Sequence, residues 1–300
     1  MNTKKFLKKV YCLIPLKQSF LTILKRFYTP SRNVYQHLHF EGNFKVEVTR
    51  EIEFCIKHYG LVVENEIFWS GIFGGWEKYS LMIWADLCRQ AKVVFDIGAN
   101  TGVYSLLAKA VNNDAEVFAF EPVERVFKKL KNNITLNKFD VHSINKAVSN
   151  SNGKAIIYDK NTKHTYSVTV NKDLSEDRAS SVEVEIDTVT LDHFIQNEDL
   201  DQVDLLKIDV ETHEAEVLMG FQKSLARSRP SFIIEILNNE IAEKIEMLVK
   251  GMSYEFYNIN ETTGITKVSK LSKSDSYNYL ICQHSIAQKL KDRNPHIFSN

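Results

Sequence analysis

The spacing of hydrophobic residues changes along the chain, and the changes predict where strands and helices lie. From residue 92 onward, short apolar runs alternate with segments in which apolar residues recur every three or four positions. Such runs predict buried strands, and the wider spacing predicts amphipathic helices. The predicted strands are Val93–Ile97, Glu116–Glu121, Val141–Val148, Val203–Asp209, Phe232–Ile236, Tyr254–Ile259 and Tyr277–Ile281.

Strands that alternate with helices predict an α/β fold with a parallel sheet covered on both faces. No convincing helix joins the last two strands, so we expect the last strand to run antiparallel. Residues 92–290 are expected to form this domain. Near residues 150–190 the rhythm breaks, and Ala155–Tyr158 and Val182–Ile186 predict a hairpin insertion.

Two segments precede this domain. Residues 46–91 are predicted to form a helical cap or lid, interrupted by glycines. Residues 1–45 are predicted to form a basic leader and linker, because the first 40 residues hold eight Lys or Arg and no acidic residue. The other 260 residues carry 30 basic and 38 acidic groups, a net charge of −8.

The leader does not resemble a membrane span or a cleaved secretory signal. No stretch approaches the ~20 apolar residues that cross a bilayer, and no small-residue cleavage site follows Val10–Leu16. Pro15 is expected to divide the leader into two short helices. The second helix has an apolar stripe at helical spacing, made of Phe20, Ile23, Leu24 and Phe27.

Two interpretations of this stripe stay open. A basic amphipathic helix can lie on an anionic membrane surface, which would make residues 1–28 a peripheral membrane contact. An apolar helical stripe also packs against the body of a protein or a partner subunit. The stripe alone does not decide between them.

Composition narrows the class of protein. The chain is 44% hydrophobic and 25% charged, as in ordinary globular proteins. The acidic body argues against a nucleic-acid partner. The four cysteines form no CxxC pair and no Cys/His metal spacing, so we expect reduced thiols in a cytoplasmic protein. They are Cys12, Cys55, Cys88 and Cys282.

The turn after the first predicted strand, Asp96–Gly102, carries the most chemical information. Gly98 and Gly102 allow the backbone to approach a ligand and to direct amide groups at it. Asp96 supplies a fixed anion. Glu121 ends the second strand, where a carboxylate can accept two ribose hydroxyl hydrogens.

Three classes of ligand are candidates for this turn. A nucleoside triphosphate needs Gly-Lys-Ser/Thr, but Val103 and Tyr104 follow Gly102. A dinucleotide needs three glycines in a GxGxxG pattern, and only Gly98 is present. An acidic turn suits S-adenosylmethionine (SAM), which carries an amino group, a sulfonium and a ribose diol. A turn that only caps a helix is the remaining alternative.

The residues of this turn, Asp96-Ile97-Gly98-Ala99-Asn100-Thr101-Gly102, together with Phe120-Glu121-Pro122, resemble the FkbM-type family of SAM-dependent methyltransferases. Lys207–Glu211, Glu214 and Phe232–Ile236 extend the resemblance, which runs from about Glu64 to Cys282. One departure is Thr212, where the family usually has Gly.

The resemblance implies a class I methyltransferase fold, a Rossmann-like sheet of seven strands with the last antiparallel, following an N-terminal helical extension. It also implies methyl transfer to oxygen, most often on a sugar or polyketide-like hydroxyl. SAM is the expected cofactor. The expected cofactor-binding residues are Glu77, Asp96, Gly98, Ala99, Asn100, Gly102, Glu121, Pro122, Asn145 and Asp209.

Glu77 is included because it follows a stretch rich in tryptophan and glycine that is predicted to close over the cofactor. A packed helical cap is the alternative for that stretch. No metal site is expected, although Asp209, Glu235 and Asn238 could supply oxygen ligands to Mg²⁺.

Methyl transfer to a hydroxyl is expected to use a general base, because a sugar hydroxyl is a poor nucleophile at neutral pH. Asp209 is the first candidate and His213 the second. Glu211 and Glu235 complete the candidate catalytic residues, with a structural ion pair to Lys207 as their alternative role.

The expected function is therefore SAM-dependent O-methylation of a glycan or another small hydroxylated molecule. Two alternatives remain. N-methyltransferases of nucleic acid often carry an Asn/Asp-Pro-Pro-aromatic turn, whereas this chain has Asp209-Val210-Glu211-Thr212. A non-catalytic SAM-binding or scaffold protein is the other alternative.

Overall fold

The computed structural model describes residues 16–160 and 181–299, and one mixed sheet organises this part of the chain. The helices are α1 (Lys17–Phe27), α2 (Arg32–Tyr35), α3 (Val62–Ser70), α4 (Lys78–Cys88), α5 (Val103–Val111), α6 (Glu124–Asn137), α7 (Leu191–Asn197), α8 (Glu214–Met219), α9 (Gln222–Ser228), α10 (Asn239–Leu248) and α11 (His284–Arg293). The strands are β1 (Glu41–Glu47), β2 (Glu53–Tyr59), β3 (Val93–Ile97), β4 (Glu116–Phe120), β5 (Val141–Ile144), β6 (Ala147–Val148), β7 (Gly153–Lys160), β8 (Ser181–Val189), β9 (Leu205–Ile208), β10 (Ser231–Glu235), β11 (Tyr254–Asn260), β12 (Gly264–Val268) and β13 (Asn278–Gln283).

The large sheet has the order β12-β11-β13-β10-β9-β3-β4-β5. Strands β5, β4, β3, β9 and β10 are parallel neighbours. β13 runs antiparallel to both β10 and β11. Seven of these strands form the class I methyltransferase sheet, and the prediction that the last strand is antiparallel is confirmed. The eighth strand, β12, was not predicted.

The central parallel strands are mostly apolar because both of their faces are buried. In β3, Val94 packs into the hydrophobic core on one face of the sheet, and Phe95 packs into the core on the other. Leu205 and Leu206 divide in the same way in β9. This two-sided burial is typical of parallel sheets covered by helices, and it brings the carboxyl ends of β3, β4 and β9 to one edge.

The helical prediction for residues 46–91 is wrong in its first part. β1 and β2 form an antiparallel hairpin, and helices follow only from Val62. Buried residues alternate with less buried ones along both strands, with Phe44 and Val46 facing the core from β1. The period is two, which is the repeat of a strand rather than of a helix. The predicted linker also contains the short helix α2.

Two asparagines of α6 hold the hairpin against the domain. Asn137 accepts a hydrogen bond from the backbone N–H of Cys55 (2.6 Å) and donates one to its carbonyl (2.7 Å). Asn133 accepts from the N–H of Lys57 (3.0 Å) and donates to the carbonyl of Thr101 (2.8 Å). These side chains provide hydrogen-bond partners for backbone groups on the unpaired edge of β2, and they connect the hairpin to the Asp96–Gly102 turn.

The predicted hairpin insertion is present as β7 and β8, which pair antiparallel. The third predicted strand, Val141–Val148, divides instead into β5 of the large sheet and β6, which pairs with β8. Ile157 and Ile186 of the insertion pack with Val123 and Val126 beside the end of β4. The remainder of the insertion, residues 161–180, lies outside the described residues.

Helix α1 is the second of the two predicted leader helices, whereas the first would lie before Pro15, outside the described residues. Leu21 is buried and Leu24 packs partly against the core, so α1 does cover the body. The other members of the predicted stripe, Phe20, Ile23 and Phe27, are exposed. In the part of the chain that the structure describes, no helix has the length and apolarity needed to cross a membrane.

Candidate active site

A cavity of about 280 Å³ opens at the carboxyl ends of β3, β4 and β9. Most of the predicted site residues line it: Asp96, Gly98, Ala99, Asn100, Glu121, Pro122, Asp209, Glu211 and His213. Glu77, Gly102, Asn145 and Glu235 were predicted with them but are not among its lining residues. The volume is close to the lower end for small-molecule sites, roughly 300 Å³.

The backbone of the Asp96–Gly102 turn is shaped by contact with its neighbours. Gly98 has φ +81°, and a Cβ there would lie 1.8 Å from the carbonyl oxygen of Asp209. The amides of Gly98 and Ala99 both donate to the carbonyl of Phe120, at 3.0 and 2.9 Å. The expectation that the Gly98 amide points at a ligand is therefore wrong, and this glycine is required because two strand ends meet closely.

Gly102 has a packing role as well. It begins α5 with φ +94°, and a Cβ there would lie 2.6 Å from Cδ1 of Leu130 on α6. A side chain at this position would therefore displace the end of the Leu130 side chain, and it would be strained at this φ. Gly102 shapes the site from behind rather than from within the cavity.

Asp96 is buried and fixed to the start of α5. Its Oδ2 accepts hydrogen bonds from the N–H and the hydroxyl of Ser105, at 2.9 and 2.5 Å. Burial raises the pKa of Asp96 to about 6, against the opposing effect of these hydrogen bonds. The anion expected at the cavity wall is present, but one of its oxygens already orders the turn.

Glu121 combines burial with two backbone hydrogen bonds. Its Oε1 accepts from the N–H of Val123 (2.9 Å) and its Oε2 from the N–H of Asn100 (3.0 Å). Burial raises its pKa to about 7, although the two N–H donors favour the carboxylate. Each oxygen retains a further lone pair, so the group can still accept hydrogen bonds from two hydroxyls.

Asn145 supports Glu121 from outside the cavity. Its side-chain amide donates to the carbonyls of Glu121 (2.8 Å) and Pro122 (3.0 Å). Through both contacts it holds the loop that presents the Glu121 carboxylate. This long-range contact has no signal in the sequence.

Asn100 provides an acceptor that its surroundings leave open. Its Oδ1 is buried and has no hydrogen-bond partner among the described residues, and its backbone has φ +52°. A buried unpaired oxygen is unfavourable unless a ligand supplies the donor. The oxygens of Asn100 and Glu121 fit a ligand with several N–H or O–H groups, as SAM has.

A second polar group surrounds the buried ammonium of Lys207. Its Nζ lies 3.2 Å from Oδ2 of Asp209 and 5.2 Å from the ring centre of Tyr104. The Tyr104 hydroxyl donates to Glu77 (2.5 Å). Burial opposes the charge of Lys207, but Asp209 and Glu77 outweigh it and raise the pKa of the ammonium. Glu77 thus belongs to this cluster although it does not line the cavity.

Glu235, at the end of β10, carries a proton at neutral pH. Burial raises its pKa to about 9, and the negative charge of Asp209 adds to the rise. A carboxyl group in this state donates a proton more readily than it accepts one.

The loop after β9 has an unusual backbone. Glu211 and Thr212 have φ values of +53° and +80°, a region that side chains branched at Cβ rarely adopt. The loop is held by Oε1 of Glu214, which accepts from the N–H of Val210 (3.3 Å) and of Thr212 (3.2 Å). The departure at Thr212 therefore lies where glycine would be unstrained.

His213 lines the cavity, but both ring nitrogens face polar neighbours. Nε2 lies 2.9 Å from the hydroxyl of Ser149, and Nδ1 lies 3.6 Å from Oε2 of Glu216. Burial lowers the pKa of His213, so its ring is mostly neutral at pH 7. Asn238, considered above as a metal ligand, instead accepts from the N–H of Ile241 and caps α10 (2.9 Å).

The cavity is also lined by residues that were not among the predicted site residues, including Val63, Trp76, Lys146, Ile157 and Ile186. Trp76 belongs to the tryptophan- and glycine-rich stretch, which was predicted to lie near the cofactor. The others come from α3, the β5–β6 connection and the insertion. Only the docking of these segments on the sheet brings them to the cavity.

Known proteins similar to this chain are methyltransferases, in agreement with the motifs of the sequence. Residues 96–257, more than half of the chain, match the family model described as the methyltransferase FkbM domain. The chain is 25% identical over 189 residues to methyltransferase sdnD of Sordaria araneosa, which covers 54% of this chain and 73% of that protein. It is 24% identical over 188 residues to hexuronic acid methyltransferase AglP of Haloferax volcanii, covering 62% and 68%.

Solved structures are more distant. A methyltransferase FkbM from Methylobacillus flagellatus has a TM-score of 0.39 at 14% identity, covering 64% of this chain and 44% of that chain. A SAM-dependent methyltransferase from Agrobacterium tumefaciens has a TM-score of 0.42 at 11% identity, covering 81% and 70%. This chain thus spans less than half of the first structure's length. The family match, together with the strand order, shows that the chain belongs to the FkbM family of SAM-dependent methyltransferases.

Proposed function

We propose that this methyltransferase transfers a methyl group to a hydroxyl oxygen of a sugar or another small hydroxylated molecule. The observation that carries the proposal is the carboxylate of Asp209, which lines the same cavity as the Asp96–Gly102 turn and Glu121. A hydroxyl acceptor needs a group that takes its proton as the oxygen attacks. Asp209 is a carboxylate in reach of that cavity.

The residues present fit SAM. When bound, SAM supplies a methyl group made electrophilic by its sulfonium. Glu121 accepts hydrogen bonds from the ribose hydroxyls, and Asn100 offers its unpaired Oδ1 to another donor of the same ligand. Asp96, Asp209 and Glu77 surround the single ammonium of Lys207, an excess of negative charge that favours a cationic ligand.

Asp209 is the proposed general base, and Lys207 is its positioning residue. The Lys207 ammonium donates to Oδ2 of Asp209 and restrains the carboxylate, which is aligned with the acceptor before reaction. His213 is less suited to be the base because its Nε2 is already within hydrogen-bond distance of the Ser149 hydroxyl. We assign it to the acceptor wall, together with Glu211.

Glu235 is not proposed as a base. A carboxyl with a pKa of about 9 is protonated at neutral pH and cannot accept the proton of a hydroxyl. At the end of β10, beside Asp209, the protonated Glu235 is a neutral group and adds no further negative charge to the cluster.

One relative and one feature of the sequence favour a sugar acceptor over the alternatives. That relative is named a hexuronic acid methyltransferase, so a sugar that carries a carboxylate is the first acceptor class to test. The turn after β9 lacks the two prolines associated with amino methylation of nucleic acid. A scaffold without activity would have no use for a base beside the cofactor residues.

The test is methyl transfer from SAM with a radioactive methyl group to uronic acid oligosaccharides, neutral oligosaccharides, transfer RNA and a cell extract. We expect label in a carbohydrate product that survives mild alkali, because methyl ethers are stable there and methyl esters are hydrolysed. Asp209→Asn should abolish labelling, and Asp201→Asn, on the exposed surface, should not. Alkali-labile label would show carboxyl methylation, and label in RNA would show the N-methyltransferase alternative; either result contradicts the proposal. No labelled product with any acceptor class would favour the scaffold.

A further inference from the structure

Helix α1 is fixed to the body of the protein by one of its faces. Leu21 is fully buried, and Leu24 packs against the same core. Lys25 donates to the carbonyl of Phe68 on α3, and its ammonium lies 5.1 Å from the centre of that ring. Gln18 donates to the carbonyl of Asn43 in β1. The helix is therefore anchored, and its outer face has a defined direction.

The outer face carries an apolar row that no described residue covers. Phe20, Ile23 and Phe27 are 54%, 58% and 85% exposed and follow the i, i+3, i+7 spacing of one helix face. We call these three residues the α1 stripe. Leu16 and Tyr28, at the two ends of the helix, are exposed as well. Single exposed apolar residues are common, but a continuous row of large ones marks an interaction surface.

The charged residues of α1 itself have one sign. The helix contains Lys17, Lys25 and Arg26 and no acidic residue. Of these, Lys25 faces the body, near Glu47. The first acidic residue of the chain is Glu41, after eight Lys or Arg. A long basic segment without an acidic residue complements a surface of uniform negative charge. Anionic lipid headgroups form such a surface, and they lie directly above an apolar layer that accepts aromatic and aliphatic side chains.

We infer that α1 is an interfacial helix that binds a membrane containing anionic lipid, with the α1 stripe inserted at the headgroup boundary. Because α1 is also packed on the body, the whole enzyme is held at that surface. The body of a second copy is also negatively charged, with a net charge of −8 outside the first 40 residues. Self-association through the stripe is therefore the competing outcome.

The experiment is co-sedimentation of the full chain with vesicles of phosphatidylcholine alone or mixed with phosphatidylserine. We expect binding to the mixed vesicles that falls about tenfold when salt is raised from 0.1 to 0.5 M. A triple variant, Phe20→Gln, Ile23→Gln and Phe27→Gln, should bind at least roughly tenfold more weakly, because three large side chains no longer leave water. Gln has a good helix propensity, so α1 should remain folded.

A matched control carries the same number of exposed apolar residues changed elsewhere: Ile156→Gln, Val182→Gln and Met247→Gln. It should bind vesicles as the parent does. Unchanged melting temperature and SAM affinity in both triple variants show that each is folded, independently of the methyl acceptor.

Three results would overturn the inference. The parent could fail to bind phosphatidylserine vesicles, or the stripe variant could bind as tightly as the parent. Sedimentation velocity could instead show that the parent is a dimer and the stripe variant a monomer, while neither binds vesicles. That result would assign the α1 stripe to contact with a second copy. Binding that appears only after deletion of residues 1–15 would show that this segment covers the stripe, which also contradicts the inference.

Discussion

The two halves of the cavity wall are built in opposite ways. At the ends of β3 and β4, the buried carboxylates of Asp96 and Glu121 each accept two hydrogen bonds from groups of the protein. Asn145 fixes the Glu121 loop from behind. This half is ordered before a ligand arrives, which lowers the entropy lost when one binds.

The half at the end of β9, with Glu235 of β10 beside it, combines a buried ion pair with two consecutive residues in left-handed backbone conformations. Asp209 pairs with the buried Lys207, while Glu235 is close enough for the charge of Asp209 to raise its pKa further. Glu211 and Thr212 adopt left-handed backbone conformations. Strain and perturbed pKa values of this kind gather where a protein does chemistry. The contrast suggests a fixed cofactor half and a reactive acceptor half.

The largest effect that would test this division is expected at Asp209. In Asp209→Asn the side chain keeps its size but loses its charge and basicity. If Asp209 is the general base, turnover should fall on the order of 10²–10⁴-fold while SAM affinity changes little. Single-turnover rates and SAM titration by calorimetry measure the two quantities separately.

The melting temperature of Asp209→Asn serves as the control, with Asp201→Asn as the matched exposed variant. If SAM affinity fell in parallel with turnover, Asp209 would belong to cofactor binding. A lower melting temperature with full activity of the folded fraction would make it a structural partner of Lys207. A stable and fully active variant would remove Asp209 from the site.

A smaller effect is expected in the cofactor half, at Glu121. Glu121→Ala should weaken SAM binding by roughly 1–3 kcal/mol, since hydrogen bonds to a charged acceptor are lost. Because the pKa of Glu121 is about 7, SAM affinity of the parent should decrease as the pH is lowered from 8 to 6. The variant should lack that dependence. Calorimetry at three pH values measures both effects.

Glu124→Ala is the matched control, because Glu124 is exposed at the start of α6, three residues along. It should bind SAM as the parent does. Equal SAM affinity of Glu121→Ala and the parent, or tight binding of NAD by the parent, would contradict the assignment of this half.

The cofactor half was largely predictable from sequence, because its residues are contiguous or follow strand ends. Asp96–Gly102 and Glu121 could be located from spacing alone. What those residues do was less predictable. The amide of Gly98 donates to Phe120 rather than toward the cavity, and Asn145 acts through a long-range contact. Both depend on how neighbouring strand ends meet, which a linear pattern does not describe.

Strands β1, β2 and β12 were missed, although β1 and β12 each leave a local signal. Phe44 and Val46 alternate with polar residues in β1, but so few apolar positions gave a weak period. Before β12, the side chain of Asn260 accepts from the N–H groups of Thr262 and Thr263, at 2.9 and 3.0 Å. Asn260-Glu261-Thr262-Thr263-Gly264 is a turn signal that favours a hairpin. The cavity residues from the insertion left no comparable signal.

In the acceptor half, the charge cluster can be tested through the pH dependence of stability. The pKa of Glu235 is about 9 in the folded protein, against an ordinary value near 4.5. The folded state therefore holds this proton more tightly, so its contribution to stability is full below pH 4.5 and is lost as the pH rises toward 9. Glu235→Gln cannot lose a proton. For each pH unit between pH 5 and 8 it should gain up to about 1.4 kcal/mol relative to the parent.

Urea unfolding at pH 5, 6, 7 and 8 measures that difference, with the exposed Glu243→Gln on α10 as the control. The free energy of unfolding of the control should change with pH as that of the parent does. A Glu235→Gln variant whose stability also ran parallel to the parent would show that Glu235 is an ordinary carboxylate, and it would again become a candidate base.

The smallest effect is expected at Thr212, where backbone strain alone is tested. A residue branched at Cβ with φ +80° is strained by about 1–3 kcal/mol, whereas glycine adopts this conformation freely. Glycine also gains about 0.4–1 kcal/mol of conformational freedom in the unfolded chain. Thr212→Gly should therefore raise the free energy of unfolding by about 1 kcal/mol.

Ser253→Gly, at φ +59° outside the cavity, is the control. Its free energy of unfolding should rise less, because serine is not branched at Cβ. Urea unfolding of the two variants decides the point. A loss of stability in Thr212→Gly would mean that the threonine side chain contributes more through its contacts than its backbone loses through strain.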